Sequence, residues 1–122
     1  MEQQTILLVD QQQSTADLMR TYLRTGGYCV DYTPSPNEAL RFAAMINYDM
    51  VITELVMQGM TGIDLYREIK RRADRTQFVF LLRVTAEEIR LMGSLERQDV
   101  IKKEPLSINE VMGKVKAALS YE

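Results

Sequence analysis

At 122 residues the chain has the length of one domain, large enough to bury a single core without disulfide or metal staples. Its 46% apolar and 26% charged residues are ordinary for a globular domain, and a net charge of −2 gives no electrostatic reason to expect nucleic acid or an anionic membrane as partner. There is no histidine, which excludes Ser-His catalysis, histidine metal sites and histidine phosphotransfer.

The elements follow one another regularly. TILLV (5–9) is nearly continuous in apolar residues, as a strand buried on both faces should be. The next segment has helical spacing, with Leu18, Met19, Tyr22 and Leu23 on one face. Gly26 and Gly27 are expected to end it by supplying positive φ. YCVDYT (28–33) reads as the second strand and carries the single cysteine, Cys29, expected to be a buried structural thiol. Ser35 with Glu38 forms a capping-box pattern, and Pro36 stands at the first helical position, where its missing N–H costs nothing.

MVIT (50–53) is the third strand, ending on Glu54, and a glycine-punctuated loop leads into a helix with Ile63, Tyr66 and Ile69 on one face. FVFLL (78–82) is the fourth strand, with Arg83 just beyond it. Thr85 with Glu88 opens the weakest helix, which has Gly93 inside it. VI (100–101) is the fifth strand. Ser107 with Glu110 opens a last helix with Ile108, Val111, Met112, Val115 and Leu119 on one face.

Strands alternating with helices imply an α/β fold, a single (βα)5 domain over residues 1–122 whose five-stranded parallel sheet is covered on both faces. In doubly wound sheets functional groups gather at the carboxyl ends of the strands. Those ends carry Asp10 and Gln11, Glu54, Leu82 and Arg83, and Lys103 and Glu104. No uninterrupted apolar segment approaches the roughly 18 residues of a membrane span, and the start lacks the charge and length of a signal peptide. A cytoplasmic location is the expectation.

The pattern resembles the receiver domains of bacterial two-component response regulators along essentially the whole chain. ILLVDQQ is similar to that family's first strand and acidic pair, and GGYCVDYTPSPNEAL to its second strand and helix. YDMVITELVMQGMTGIDLYREIK resembles the phosphoacceptor strand, loop and third helix, and KKEPLSINEV the final Lys-Pro turn and helix. MQGMTG differs from a common family loop only by Gln58 in place of proline. The resemblance implies a flavodoxin-like strand order, 2-1-3-4-5.

In that family an aspartate attacks a phosphoryl group, and Mg²⁺, a lysine and a hydroxyl neutralise or bind it. The matching positions here are largely altered. Asp10 matches the first acid, and Gln11 replaces the second. Glu54 stands at the phosphoacceptor position, Leu82 at the switch-hydroxyl position and Ile101 where a mobile aromatic is often found. The preferred, ungapped alignment puts Glu104 at the lysine position, because a slip would place Arg83 inside a buried strand; with a one-residue insertion Lys103 takes it. A slip of three would make Thr85 the hydroxyl.

These changes argue against phosphorylation. Glutamate carries its carboxylate about 1.5 Å further than aspartate, into the space of a phosphoryl group. Glutamine is a weak Mg²⁺ ligand, so no metal site and no other cofactor is expected, with Mg²⁺ binding lost or weak. Leucine cannot hydrogen-bond a phosphate. Asp10, Glu54 and Glu104 together would repel one another unless Arg83 or Lys103 folds inward. Glu54 is either a strand-end carboxylate that pairs with Arg83 or Lys103 or simply faces water, or a mimic of the phosphorylated state, and Arg83 reads better as a solvated loop charge than as a pocket residue.

The resulting expectation is an atypical, non-enzymatic receiver that acts by protein–protein contact without phosphorylation. By resemblance, its partner or a second copy would meet the face of helix 4, strand 5 and helix 5, with Leu91, Leu95, Lys102, Lys114 and Lys116, and neither nucleic acid nor membrane would be contacted directly. The alternative is a phosphorylation-competent or regulatory input domain of a longer regulator, such as a DNA-binding transcription factor. A flavodoxin-like cofactor enzyme is disfavoured, because QQQST lacks phosphate-cradling glycines and the chain has no tryptophan to stack a flavin.

Overall fold

The computed structural model describes residues 3–83, 85–93, 99–103 and 105–119, without the side chains of Ala86, Met92 and Asp99. Five strands, β1 (Thr5–Val9), β2 (Cys29–Thr33), β3 (Met50–Glu54), β4 (Gln77–Leu82) and β5 (Asp99–Lys102), alternate with five helices. These are α1 (Gln13–Thr25), α2 (Pro36–Met45), α3 (Gly62–Arg72), α4 (Ala86–Met92) and α5 (Ile108–Leu119). The strands pair in parallel in the order β2-β1-β3-β4-β5, so winding reverses between β1 and β3. The carboxyl ends of those two central strands, at Asp10 and Glu54, therefore flank the crevice.

Alternation along each strand divides the core in two. Ile6, Leu8, Met50, Ile52, Val79, Leu81 and Ile101 pack under α1 and α5. Leu7, Val9, Val51, Phe78, Phe80 and Leu82 pack under α2 and α3. Every residue of β3 is buried, which explains why its sequence shows no polar alternation.

Three details depart from the sequence reading. The buried stripe of α1 is Ala16, Met19 and Leu23, while Leu18 and Tyr22 are exposed. The small Ala16 carries the stripe to the start of the helix, a position where size rather than hydrophobicity matters. Cys29 is exposed, not buried, because it is the first residue of the edge strand β2. Of Gly26 and Gly27, the second alone adopts positive φ, at 99°. Gly26 is right-handed with φ −76°, and a side chain there would come within 2.7 Å of Met112 Cε.

Ser35, Thr85 and Ser107 each accept a hydrogen bond from the backbone N–H three residues on. The acidic partners of the first two are used elsewhere: Glu38 accepts from Thr33 Oγ1, and Glu88 from the Arg83 N–H. The reciprocal box forms at Thr61 and Asp64, ahead of α3.

Candidate functional site at the carboxyl end of the sheet

Asp10 follows β1 directly and is fully buried. Its Oδ1 accepts from the Gln12 N–H at 2.8 Å and from Lys103 Nζ at 2.6 Å, and its Oδ2 from Thr15 Oγ1 at 2.8 Å. Tyr32 donates its hydroxyl to the Asp10 carbonyl at 2.9 Å. Burial, and next the Asp10 charge, push the Tyr32 pKa above its ordinary value.

Glu54, last residue of β3, is almost as deeply buried, at 3% exposure. Its extra methylene carries the carboxylate across the strand ends. Oε1 accepts from the Gln11 N–H at 2.6 Å. Oε2 accepts from Lys103 Nζ at 2.5 Å and from Arg83 Nη2 at 3.1 Å. One carboxylate thus ties together the ends of β1, β4 and β5.

Lys103 lies one residue beyond β5, its N–H donating to the Leu82 carbonyl at 2.8 Å, and its ammonium is sealed from solvent between the two carboxylates. The described group facing Asp10 and Glu54 at this end of the chain is therefore the Lys103 ammonium; Glu104 lies outside the described residues. Arg83 departs from the expectation of a purely solvated loop charge. Its side chain is 41% exposed, yet it ion-pairs with Glu54. The repulsion expected from converging carboxylates is relieved because both available cations fold inward.

The remaining positions are equally definite. Gln11 is exposed, and its side-chain oxygen accepts from the Gln58 N–H at 3.1 Å. Leu82 is buried in the apolar cluster under α2 and α3. The Thr85 hydroxyl caps α4, and Ile101 is buried beneath α1 and α5. Thr15 and the Gln58 backbone were not singled out from sequence. Thr15 stands five residues from Asp10 in the first turn of α1, a spacing that marks it only once Asp10 is placed.

The donor set does not fit a resident Mg²⁺. That ion demands about six oxygens in octahedral array. Here both oxygens of Asp10 and both of Glu54 are engaged by N–H or O–H donors, and an ammonium occupies the space between them. Among the described residues no three acidic, cysteine or histidine groups cluster as metal ligands.

The model of the response regulator receiver domain family matches residues 6–116. The chain is a response-regulator receiver domain. It is 32% identical over 114 residues to the transcriptional regulatory protein ResD of Bacillus subtilis, covering 93% of this chain and 47% of that protein. It is 28% identical over 116 residues to the response regulator SaeR of Staphylococcus aureus, covering 94% of this chain and 50% of that protein. The receiver domain thus spans about half the length of these curated relatives.

Among solved structures it is similar to the response regulator TrrA of Thermotoga maritima, crystallised in complex with Mg²⁺–BeF. The TM-score is 0.79 at 26% identity, over 95% of this chain and 99% of that one. The chemotaxis protein CheY4 of Vibrio cholerae shares the fold with TM-score 0.83 at 20% identity, over 97% of this chain and 100% of that one. The receiver domain belongs to two-component signalling. Among the described residues no helix is long and apolar enough to cross a membrane.

Proposed function

We propose that this receiver domain is atypical and acts by protein–protein contact without phosphorylation, its phosphorylation chemistry replaced by an internal ion cluster. The observation that carries the reading is the occupancy of Glu54: its two carboxylate oxygens accept from Gln11, Lys103 and Arg83. A nucleophile needs a lone pair aimed at the phosphoryl donor, and this carboxylate is displaced by a methylene and turned toward three donors, so attack in line would require it to leave Lys103, Arg83 or Gln11. Leu82 brings no hydroxyl to the site, and Gln11 brings no charge. Lys103 supplies in permanent form the positive charge that a phosphoryl group would attract.

On this reading Mg²⁺ binds weakly or not at all, the domain is not an enzyme, and no other cofactor is used. It acts in the cytoplasm on a protein partner or a second copy of itself, with no direct contact to nucleic acid or membrane. The face of α4, β5 and α5 remains the proposed contact, with Leu91 half-buried and Lys102 and Lys116 exposed on it. Leu95 lies outside the described residues.

A second reading concerns setting. The chain spans about half of relatives that include a transcriptional regulatory protein, which favours an input domain within a longer regulator. The two readings are compatible unless the domain is phosphorylated.

The test is a Mg²⁺ titration into the millimolar range, followed by amide NMR shifts at Gln11, Leu55 and Arg83, with and without a small phosphodonor. No saturable shift is expected. Saturable shifts at these amides would overturn the proposal.

A further inference from the structure

Arg83 touches the ion cluster and α4 at the same time. Its guanidinium donates to Glu54 Oε2 at 3.1 Å, and its own backbone N–H donates to the Glu88 carboxylate. Glu88 is buried, at 4% exposure, in the first turn of α4. The Glu88 N–H donates to the Thr85 hydroxyl, and the Ile89 N–H to the Thr85 carbonyl at 2.9 Å. A continuous path of polar contacts therefore runs from the Glu54 carboxylate through one residue to the first helical turn.

We infer that Arg83 is a positioning residue that couples the charge on Glu54 to the order of the first turn of α4. The two ends of the path differ in character. Glu88 and Glu54 are buried, whereas the Arg83 side chain is 41% exposed. Water and salt reach the guanidinium, so the Arg83–Glu54 link is the weak, reversible member. Glu54 keeps Lys103 when Arg83 departs, so the link can open without stranding a buried carboxylate. Opening it frees the Arg83 amide to leave Glu88, and α4, which presents the exposed Ile89, loosens at its start. Any group that competes for Arg83 or neutralises Glu54 is thereby read out on α4. The inference rests on this geometry and stands whether or not the domain is phosphorylated.

Amide hydrogen exchange on the unmodified domain, at low salt and without phosphodonor, tests it. Arg83→Met should speed exchange at Ile89 about 1.5- to fivefold, the range for one partly screened ion pair. The Val115 amide, in the core of α5, should not change. Glu54→Gln should have a similar effect at Ile89, and the double variant should add nothing further. High NaCl should raise Ile89 exchange in the wild type and leave Arg83→Met unaltered. Unchanged Ile89 exchange in Arg83→Met, a parallel rise at Val115, or additive single variants would overturn the inference. If Glu54→Gln fails to fold, the salt series on wild type and Arg83→Met decides alone. A phosphorylated species found separately would sink the proposed function and leave this coupling intact.

Discussion

Lys103 Nζ lies 2.5 Å from Glu54 Oε2, joining two side chains 49 residues apart, one fully buried and the other 5% exposed. Burying such a pair costs desolvation of both ions, repaid only by close geometry and satisfied hydrogen bonds. Asp10 is the third member, 2.6 Å from the same ammonium. Lys103→Met should then destabilise the domain by about 3–5 kcal/mol, because two buried carboxylates lose their shared cation. Adding Glu54→Gln should recover part of that loss. Urea unfolding of the single and double variants measures both effects.

Gly62→Ala should disturb the site from below. Gly62 opens α3, and a Cβ there would lie 2.5 Å from the Glu54 carbonyl oxygen and 3.2 Å from Leu55 Cα. Both neighbours are backbone and cannot rotate away. A loss of about 1–3 kcal/mol is expected on urea unfolding, with amide shifts concentrated at Glu54 and Leu55.

Tyr48 sets an alkaline limit on stability. It is buried and donates to Asp31 Oδ2 at 2.7 Å. Burial, then the Asp31 hydrogen bond and charge, push its pKa above the ordinary 10.0. The folded state therefore keeps a proton that the unfolded state releases, and stability falls as pH rises above 10.0 toward the folded-state value. Below that window the contribution is complete. Tyr48→Phe should cost about 1 kcal/mol at pH 7, since Asp31 loses its donor, and should flatten the alkaline decline. Tyr32, also raised, leaves a residual slope. Thermal melts from neutral to strongly alkaline pH check the difference.

Most of the framework was legible from residue pattern. Continuous apolar runs identify β1, β3 and β4, because strands covered on both faces admit almost no polar residue. Glu54 and Asp10 were legible as strand-end carboxylates. The cations were harder. Lysine is rarely buried, so nothing in KKEP distinguishes Lys102, exposed at the end of β5, from Lys103, turned inward beside it. Arg83 is hard to place from sequence for a related reason. Its exposure is real, but a long side chain can stand in water and still place one nitrogen on a buried carboxylate. Helical spacing alone puts Leu18 and Tyr22 on the buried face and passes over the smaller Ala16, and an apolar run does not reveal that Cys29 opens an edge strand.

Intact mass after incubation with a small phosphodonor and Mg²⁺ shows directly whether Glu54 can be phosphorylated. With both oxygens of Glu54 held by Gln11, Lys103 and Arg83, the wild-type domain should retain its unmodified mass under conditions that phosphorylate an ordinary receiver. A gain of one phosphoryl group that disappears in Glu54→Gln would contradict the account.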